Sequence, residues 1–126
     1  MTFVLIADDE ADLARLTRLR LESAGIDAME CYDGTTALGI LRDRRPAVAI
    51  LDWMMPGVDG LELARLVRAD DALRSTRLIL MTARVEADTD EGFAARHGFD
   101  VVLVKPVSRA DLVATVEGEL RTALAG

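Results

Sequence analysis

The sequence predicts a doubly wound α/β domain built on a five-stranded parallel sheet. Five short aliphatic runs alternate along the chain with five stretches whose apolar residues recur at helical spacing. The aliphatic runs are continuous, as expected of strands that helices cover on both faces. The linkers are short, and right-handed crossover connections then leave few topologies. The 126 residues have the size of one domain, so we interpret 1–126 as a single domain without an output domain.

The strands are predicted from runs rich in valine, isoleucine and leucine. They lie near 2–7, 27–31, 47–51, 77–82 and 101–104. The run 47–51 is the most apolar in the first half of the chain, and the sequence Pro56-Gly57 soon after it indicates a loop. The single cysteine, Cys31, ends the second run and is interpreted as a small buried apolar residue.

The helices are predicted near 11–24, 34–43, 59–69, 86–96 and 108–124. The first ends at Gly25, a common stop signal, and its inward face is predicted to carry Leu13, Leu16, Thr17, Leu21 and Ala24. The last is predicted to face inward with Leu112, Val113, Val116, Leu120 and Ala123. The helix at 86–96 contains an acidic run and an internal Gly92, which costs about 1 kcal/mol relative to alanine.

Composition excludes several classes of protein. The net charge is −7, from 22 acidic and 15 basic residues, and no basic stripe is visible, which disfavours nucleic-acid binding by this domain. No run approaches the ~20 apolar residues of a membrane span. The start of the chain, 1–10, has neither a basic segment nor a cleavage-site pattern, so we expect a cytoplasmic protein.

Polar residues with chemical potential follow four of the predicted strands. The first strand ends in Asp8-Asp9, the third in Asp52, the fourth in Thr82 and the fifth in Lys105. Lys105 is the only lysine, since all other cationic residues are arginine. The carboxyl ends of parallel strands share one edge of the sheet, which is also where ligands bind in open α/β sheets. These five side chains are therefore expected to converge on one cleft.

Such a cluster suits phosphoryl transfer. Neighbouring carboxylates repel each other unless a cation intervenes, and oxygen ligands suit Mg²⁺, which commonly also binds a substrate phosphate. An aspartate such as Asp52 can act as a nucleophile towards phosphorus. A metal ion and Lys105 would then offset the charge of the phosphoryl oxygens, and Thr82 could donate its hydroxyl to one of them.

Each of these residues also has an ordinary structural interpretation when it is taken alone. Asp8 and Asp9 suit the start of a helix, Asp52 suits a turn, Thr82 suits a strand end, and Lys105 suits the surface. Their joint occurrence at four strand ends on one edge favours a functional site instead. The only histidine, His97, is interpreted as a surface residue near the end of a helix.

These patterns together resemble the response-regulator receiver domain of two-component signalling. The resemblance spans essentially all 126 residues. It is carried by Asp8-Asp9, by the stretch from Leu51 to Gly60 (LDWMMPGVDG), by Met81-Thr82-Ala83 and by Val104-Lys105-Pro106. The resemblance implies the flavodoxin-like (βα)5 fold with strand order 2-1-3-4-5, for which a receiver protein is a standard example.

The resemblance also implies a role for each residue at the site. Asp52 would accept a phosphoryl group from a histidine of a sensor kinase or of a histidine phosphotransfer protein. Asp9, Asp52 and the backbone carbonyl of Met54 would ligate Mg²⁺, and Asp8 would act through water. Lys105 would contact the phosphoryl oxygens.

Further implications concern the switch. Thr82 would be the switch hydroxyl, and the bond between Lys105 and Pro106 would be cis. Met54 and Arg84 flank the site and are expected to tune the lifetime of the phosphoryl group. The output would be a changed surface formed by the predicted helix 86–96, the strand 101–104 and the helix 108–124. That surface would bind a downstream protein, and its helices could also support a homodimer.

The chain departs from the receiver pattern at Val102. Many receivers carry tyrosine or phenylalanine at this place, three residues before the lysine, and the rotamer of that ring reports phosphorylation. We therefore expect the signal to pass through Thr82, the loop 83–88 and the helix 86–96 instead.

Two other functions remain open at the level of sequence. The first is a constitutive docking module that is not phosphorylated, which the complete set of site residues disfavours. The second is a phosphatase with an aspartyl-phosphate intermediate, similar to haloacid-dehalogenase-like enzymes. Such enzymes need a second aspartate two residues after the nucleophile, and Met54 occupies that place.

Overall fold

The computed structural model describes residues 2–125 and has the predicted architecture. The strands are β1 (Val4–Ala7), β2 (Ala28–Cys31), β3 (Val48–Leu51), β4 (Arg77–Thr82) and β5 (Val101–Val104). The helices are α1 (Ala11–Glu22), α2 (Gly34–Arg44), α3 (Gly60–Ala69), α4 (Glu86–Thr89), α5 (Phe93–Arg96) and α6 (Arg109–Ala125). All strand pairs are parallel and the order is β2-β1-β3-β4-β5, which confirms the predicted fold class.

The sheet separates two apolar layers. Alternate residues of the central strands point to opposite faces, so that in β3 Leu51 joins the layer under α2 and α3, while Ile50 joins the layer under α1 and α6. All four residues of both β1 and β3 are buried. Continuous aliphatic runs are therefore needed in these strands, because neither face of either strand meets solvent.

Aspartate side chains cap the N-termini of α2 and α3. The Asp33 carboxylate accepts a hydrogen bond from the backbone N–H of Thr36 at 2.7 Å at the start of α2. Asp59 accepts one from the N–H of Glu62 at 2.9 Å at the start of α3. Each of these caps satisfies an N–H that has no partner within its own helix.

The single helix predicted at 86–96 is wrong. The segment forms two four-residue helices, α4 and α5, because Asp90 is extended and Gly92 has a φ of 87°. Gly92 reaches this left-handed conformation without the steric cost that a side chain would impose. Six helices therefore occur within residues 2–125 where five were predicted.

The inward face of α1 is also rotated from its predicted position. Its buried residues are Ala14, Thr17 and Leu21, whereas Leu16, predicted to face inward, is 42% exposed. Ala14 is fully buried in the layer under α1 and α6, whereas Leu16 lines a groove together with Pro106 and Val107 of the loop after β5. Within residues 2–125, no helix combines the length and the apolar character that crossing a membrane would require.

Candidate functional site

Register places the key carboxylates side by side. Ala7 of β1 pairs with Leu51 of β3, so the next residues, Asp8 and Asp52, leave the sheet together. The backbone N–H of Asp52 donates to the carbonyl of Ala7 at 2.9 Å, which continues the ladder by one bond beyond the strands. Two residues that are 44 positions apart in the chain are thereby fixed as neighbours at the carboxyl edge of the sheet.

The ammonium group of Lys105 lies between these carboxylates. Its Nζ is 2.8 Å from Asp8 Oδ2 and 2.9 Å from Asp52 Oδ2. Asp8 is 2% exposed and Asp52 is 8% exposed, so the three charged groups share a site that is largely removed from water. The only lysine of the chain is therefore the counter-ion of the acidic pair, and a charge-assisted hydrogen bond joins it to each acid.

Burial and mutual charge shift the pKa of two of these groups. Burial raises the pKa of Asp52 above its ordinary value and the nearby charge of Asp8 adds to this, whereas the hydrogen bond and the charge of Lys105 oppose it. Burial alone would lower the pKa of Lys105, but its hydrogen bonds to Asp8 and Asp52 and their charges raise it overall. The arrangement thus holds a cationic lysine beside a carboxylate whose negative charge is only partly compensated.

A third carboxylate approaches the pair. Oxygen atoms of Asp8, Glu10 and Asp52 all lie within 4.8 Å of one another. Asp9, the residue predicted to ligate Mg²⁺ directly, is exposed, and its carboxylate does not belong to this group. Glu10 was not among the predicted site residues, although it is the third acid of the run that follows β1 and could have been included on that ground.

The chemistry of this donor set fits a hard divalent cation. Asp8, Glu10 and Asp52 offer only oxygen ligands, and the two aspartates are buried. Three carboxylates against one ammonium leave an excess of negative charge, which a divalent ion would neutralise. Mg²⁺ prefers oxygen ligands and typically binds one or two carboxylates while it keeps several waters. The three acids therefore offer more carboxylates than Mg²⁺ usually binds.

Thr82 completes the carboxyl edge next to β3. It is 1% exposed, and its hydroxyl oxygen accepts a hydrogen bond from the backbone N–H of Arg84 at 3.2 Å. The guanidinium of Arg84 lies over the ring of Trp53, 4.4 Å from its centroid, and pairs with Glu86 at 2.6 Å. The residue after Asp52 and the residue two after Thr82 are thus in direct contact.

The other predicted site residues lie at the rim or behind the site. Met54 is 57% exposed, two residues after Asp52. Val102 is half-buried and packs against the layer under α2 and α3. The bond between Lys105 and Pro106 is cis, and Arg20 of α1 donates to the carbonyl of Val107 at 2.8 Å. This last hydrogen bond ties the loop that carries Lys105 to α1.

Comparisons with known proteins agree with this geometry. Residues 4–117 match the family model of the response regulator receiver domain. The phosphate regulon transcriptional regulatory protein PhoB of Pseudomonas aeruginosa is 36% identical over 119 residues, which cover 94% of this chain and 51% of that protein. The DNA-binding response regulator MtrA of Mycobacterium tuberculosis is 34% identical over 118 residues, which cover 94% of this chain and 50% of MtrA. The chain thus spans about half the length of these curated relatives.

Solved structures match over nearly the whole chain. The receiver domain of the Francisella response regulator 1452 is 29% identical and superposes with a TM-score of 0.87, covering 97% of this chain and 98% of that one. The chemotaxis response regulator CheY4 of Vibrio cholerae is 26% identical with a TM-score of 0.85, covering 94% of this chain and 98% of that one.

Proposed function

Because the chain belongs to the response regulator receiver domain family, we propose that it is a phosphorylation-controlled switch in which Asp52 accepts the phosphoryl group. The observation that carries the proposal is the triad of Asp8, Asp52 and Lys105. Asp52 stands at the end of a central strand, buried, 2.9 Å from the only lysine, with Asp8 holding that lysine in place at 2.8 Å. A purely structural salt bridge could form at the protein surface, so the burial of Asp8 and Asp52 favours a functional site.

The chemistry asked of these residues is simple. A carboxylate oxygen of Asp52 forms a bond to phosphorus, and the bond between phosphorus and the donor histidine nitrogen breaks, with its electron pair returning to the imidazole, which then takes up a proton. Lys105 is already aimed at Asp52 and offsets charge on the phosphoryl oxygens. Asp8 keeps the lysine cationic, because its hydrogen bond and charge help to raise the pKa of Lys105.

The proposed metal ligands are Asp52, Asp9 and the backbone carbonyl of Met54, with Asp8 acting through water. The geometry adds Glu10, whose carboxylate already lies with those of Asp8 and Asp52. When it is bound, Mg²⁺ supplies positive charge that neutralises the phosphoryl oxygens. Asp9 is exposed and next to this group in the chain, so its carboxylate would have to approach the other acids when the ion binds.

The proposed switch is Thr82. Its hydroxyl now serves as an acceptor for the Arg84 N–H, so it is free to turn and donate to a phosphoryl oxygen on Asp52. When the Thr82 side chain rotates about χ1 towards that oxygen, its Oγ1 moves away from the Arg84 N–H, and the loss of this hydrogen bond couples the chemistry to the loop after β4. Met54 and Arg84 stand at the rim, where they would control the access of hydrolytic water and hence the lifetime of the phosphoryl group.

The proposed partners follow from this chemistry. The phosphoryl donor is a sensor histidine kinase or a histidine phosphotransfer protein in the cytoplasm, and the recipient of the signal is a downstream protein that binds α4, α5, β5 and α6. The same surface is a candidate for a homodimer. PhoB and MtrA are named as transcriptional and DNA-binding regulators. In this chain the net charge of −7 disfavours direct DNA contact by these residues.

Phosphorylation by a small donor tests the proposal. The protein is incubated with acetyl phosphate and Mg²⁺, and intact mass is measured. We expect a gain of one phosphoryl group, about 80 Da, in the wild type and in Asp43→Asn, which alters an exposed acid of α2. We expect no gain in Asp52→Asn.

The outcomes separate the competing functions. A wild-type protein that gains no mass would support the docking module and overturn the switch. Sustained turnover of a phosphomonoester would support a phosphatase instead. The exposed thioether of Met54 offers no proton for such turnover, so we expect at most slow loss of the phosphoryl group from Asp52 itself.

A further inference from the structure

Trp53 connects the proposed phosphorylation site to the segment after β4. It directly follows Asp52 and is the only tryptophan of the chain. One face of its ring carries the guanidinium of Arg84 at 4.4 Å from the centroid. The backbone N–H of the same arginine donates to the hydroxyl of Thr82. Arg84 therefore connects the Thr82 hydroxyl to the ring of Trp53.

From Trp53 the contacts continue into α5. The ring of Phe93 lies 5.3 Å from that of Trp53, at an interplanar angle of 45°. The ring of His97 lies 4.4 Å from that of Phe93, at 43°. Tilted pairs at these separations are favourable arrangements of aromatic rings. We call Arg84, Trp53, Phe93 and His97 the aromatic stack.

Apart from this stack, the segment 86–97 is held mainly by the small buried side chain of Ala87 in α4. α4 has four residues, its N-terminus has no side-chain cap, and the chain is extended at Asp90 before α5 begins. Two exposed ion pairs, Arg84 with Glu86 and Arg96 with Asp90, link its turns. Exposed pairs contribute little to stability, so the buried ring of Phe93 is the main anchor that α5 offers to the rest of the domain.

Val102 occupies the place where many receivers carry the aromatic residue that reports phosphorylation. Its side chain has no ring and no polar atom, and it packs into the layer under α2 and α3. A valine has one preferred rotamer in many settings and cannot alternate between a buried and an exposed ring position. A phosphorylation signal in this chain therefore needs another side chain to carry it from Thr82 to the outer surface.

We propose that the aromatic stack carries the state of Asp52 to α4 and α5. When the Thr82 side chain rotates about χ1 towards a phosphoryl oxygen, its Oγ1 moves away from the Arg84 N–H, Arg84 shifts, and the guanidinium loses its position over Trp53. Trp53 and Phe93 then repack, and the order of residues 86–97 changes. This inference rests on the proposed function, since it needs a phosphoryl group on Asp52, and it adds the route by which that group is read.

Hydrogen exchange measured by mass spectrometry tests the stack. Amide exchange of the wild type is compared with and without acetyl phosphate and Mg²⁺, in the segment 83–97 and in α2. We expect the amide exchange rate to change about threefold to tenfold in 83–97 and to change less in α2. A change of this size corresponds to the energy of a single stacked contact. In Phe93→Leu we expect the change in 83–97 to be lost while the mass gain at Asp52 persists.

A second position guards against a variant that merely folds poorly. Trp53→Phe keeps a ring between Arg84 and Phe93, whereas Trp53→Leu removes it. We expect Trp53→Phe to retain most of the change in 83–97 and Trp53→Leu to lose it, at equal phosphorylation by mass. Val102→Thr, which keeps the shape of the side chain at the place of the missing aromatic residue, should behave as the wild type.

Each outcome decides a different question. If Phe93→Leu and Trp53→Leu are phosphorylated and still show the full change in 83–97, the stack is refuted while the switch stands. If only Val102→Thr loses the change, the route runs through β5 and the stack is again refuted. If the wild type gains no mass on Asp52, the proposed function fails, and the stack as a route for phosphorylation fails with it.

Discussion

Replacing Gly60 with alanine should damage both the stability of the domain and its site. A Cβ atom at this position would lie 2.0 Å from the carbonyl oxygen of Asp52 and 3.0 Å from the Cα of Trp53. The obstacle is backbone, and Cβ atoms essentially never approach closer than 3.0 Å, so the end of β3 would have to recede by about 1 Å. The bond from the N–H of Gly60 to the carbonyl of Trp53, at 2.7 Å, prevents an easy retreat.

The expected cost follows from this overlap. Overpacking of this kind costs about 1–3 kcal/mol. Urea unfolding followed by far-ultraviolet circular dichroism should show a midpoint lower by about 1 M. The same shift would move Asp52 relative to Lys105, and a misplacement of about 1 Å can slow a reaction by about 10²-fold. We therefore expect much slower phosphorylation of Gly60→Ala by acetyl phosphate.

Gly39→Ala is the matched control. Gly39 lies inside α2, and a Cβ added there would have no heavy atom within 4 Å. This substitution should stabilise the domain by about 0.5–1 kcal/mol and leave phosphorylation unchanged. A Gly60→Ala protein with the wild-type urea midpoint and a phosphorylation rate within about twofold of wild type would refute the reasoning from backbone overlap.

Three other predictions concern charged and ionisable groups. Burial raises the pKa of Cys31 to about 11, above its unfolded value, so the native thiol should resist alkylation at pH 8. For the same reason the free energy of unfolding should fall as the pH rises from about 9 to 11, and Cys31→Ala should remove that fall. Glu10→Gln should weaken Mg²⁺ binding about threefold to tenfold, as measured by Trp53 fluorescence. Asp12→Asn, which alters an exposed acid in the first turn of α1, should not, and equal effects would argue against a specific role for Glu10. Lys105→Met should raise the pKa of Asp52 further, because it removes the hydrogen bond and the charge that oppose the rise. A carboxyl NMR titration measures this shift, and an unchanged pKa would contradict this account.

The sequence predicted the sheet well because its information is local and strong. β1 and β3 are buried on both faces, so each had to be a continuous aliphatic run, and such runs are visible without a structure. Asp8, Asp52, Thr82 and Lys105 were found for the same reason, since each directly follows or ends a strand. Parallel strands convert that position in the sequence into proximity in space.

Other features depend on side-chain packing that periodicity does not encode. The break between α4 and α5 turns on a positive φ at Gly92, and a glycine in a helical pattern signals only a cost. In α1 the core contact is made by Ala14 rather than by Leu16, and helical spacing allowed either residue to face inward. Glu10 does not directly follow a strand, yet its carboxylate lies with those of Asp8 and Asp52. The contact between Arg84 and Trp53 joins two separate loops.

The position of Lys105 in the chain also bears on how the domain folds. Lys105 lies 97 residues after Asp8 and 53 after Asp52, at the end of the last strand and on the edge of the sheet. In a chain in which β1 and β3 have paired before β5 docks, Asp8 and Asp52 lie side by side without their counter-ion, and the two carboxylates repel each other. Partly folded forms that lack β5 are therefore disfavoured, and the site adds to the cooperativity of folding. The lysine that we propose to assist phosphorylation of Asp52 therefore reaches its place only in a completely folded domain.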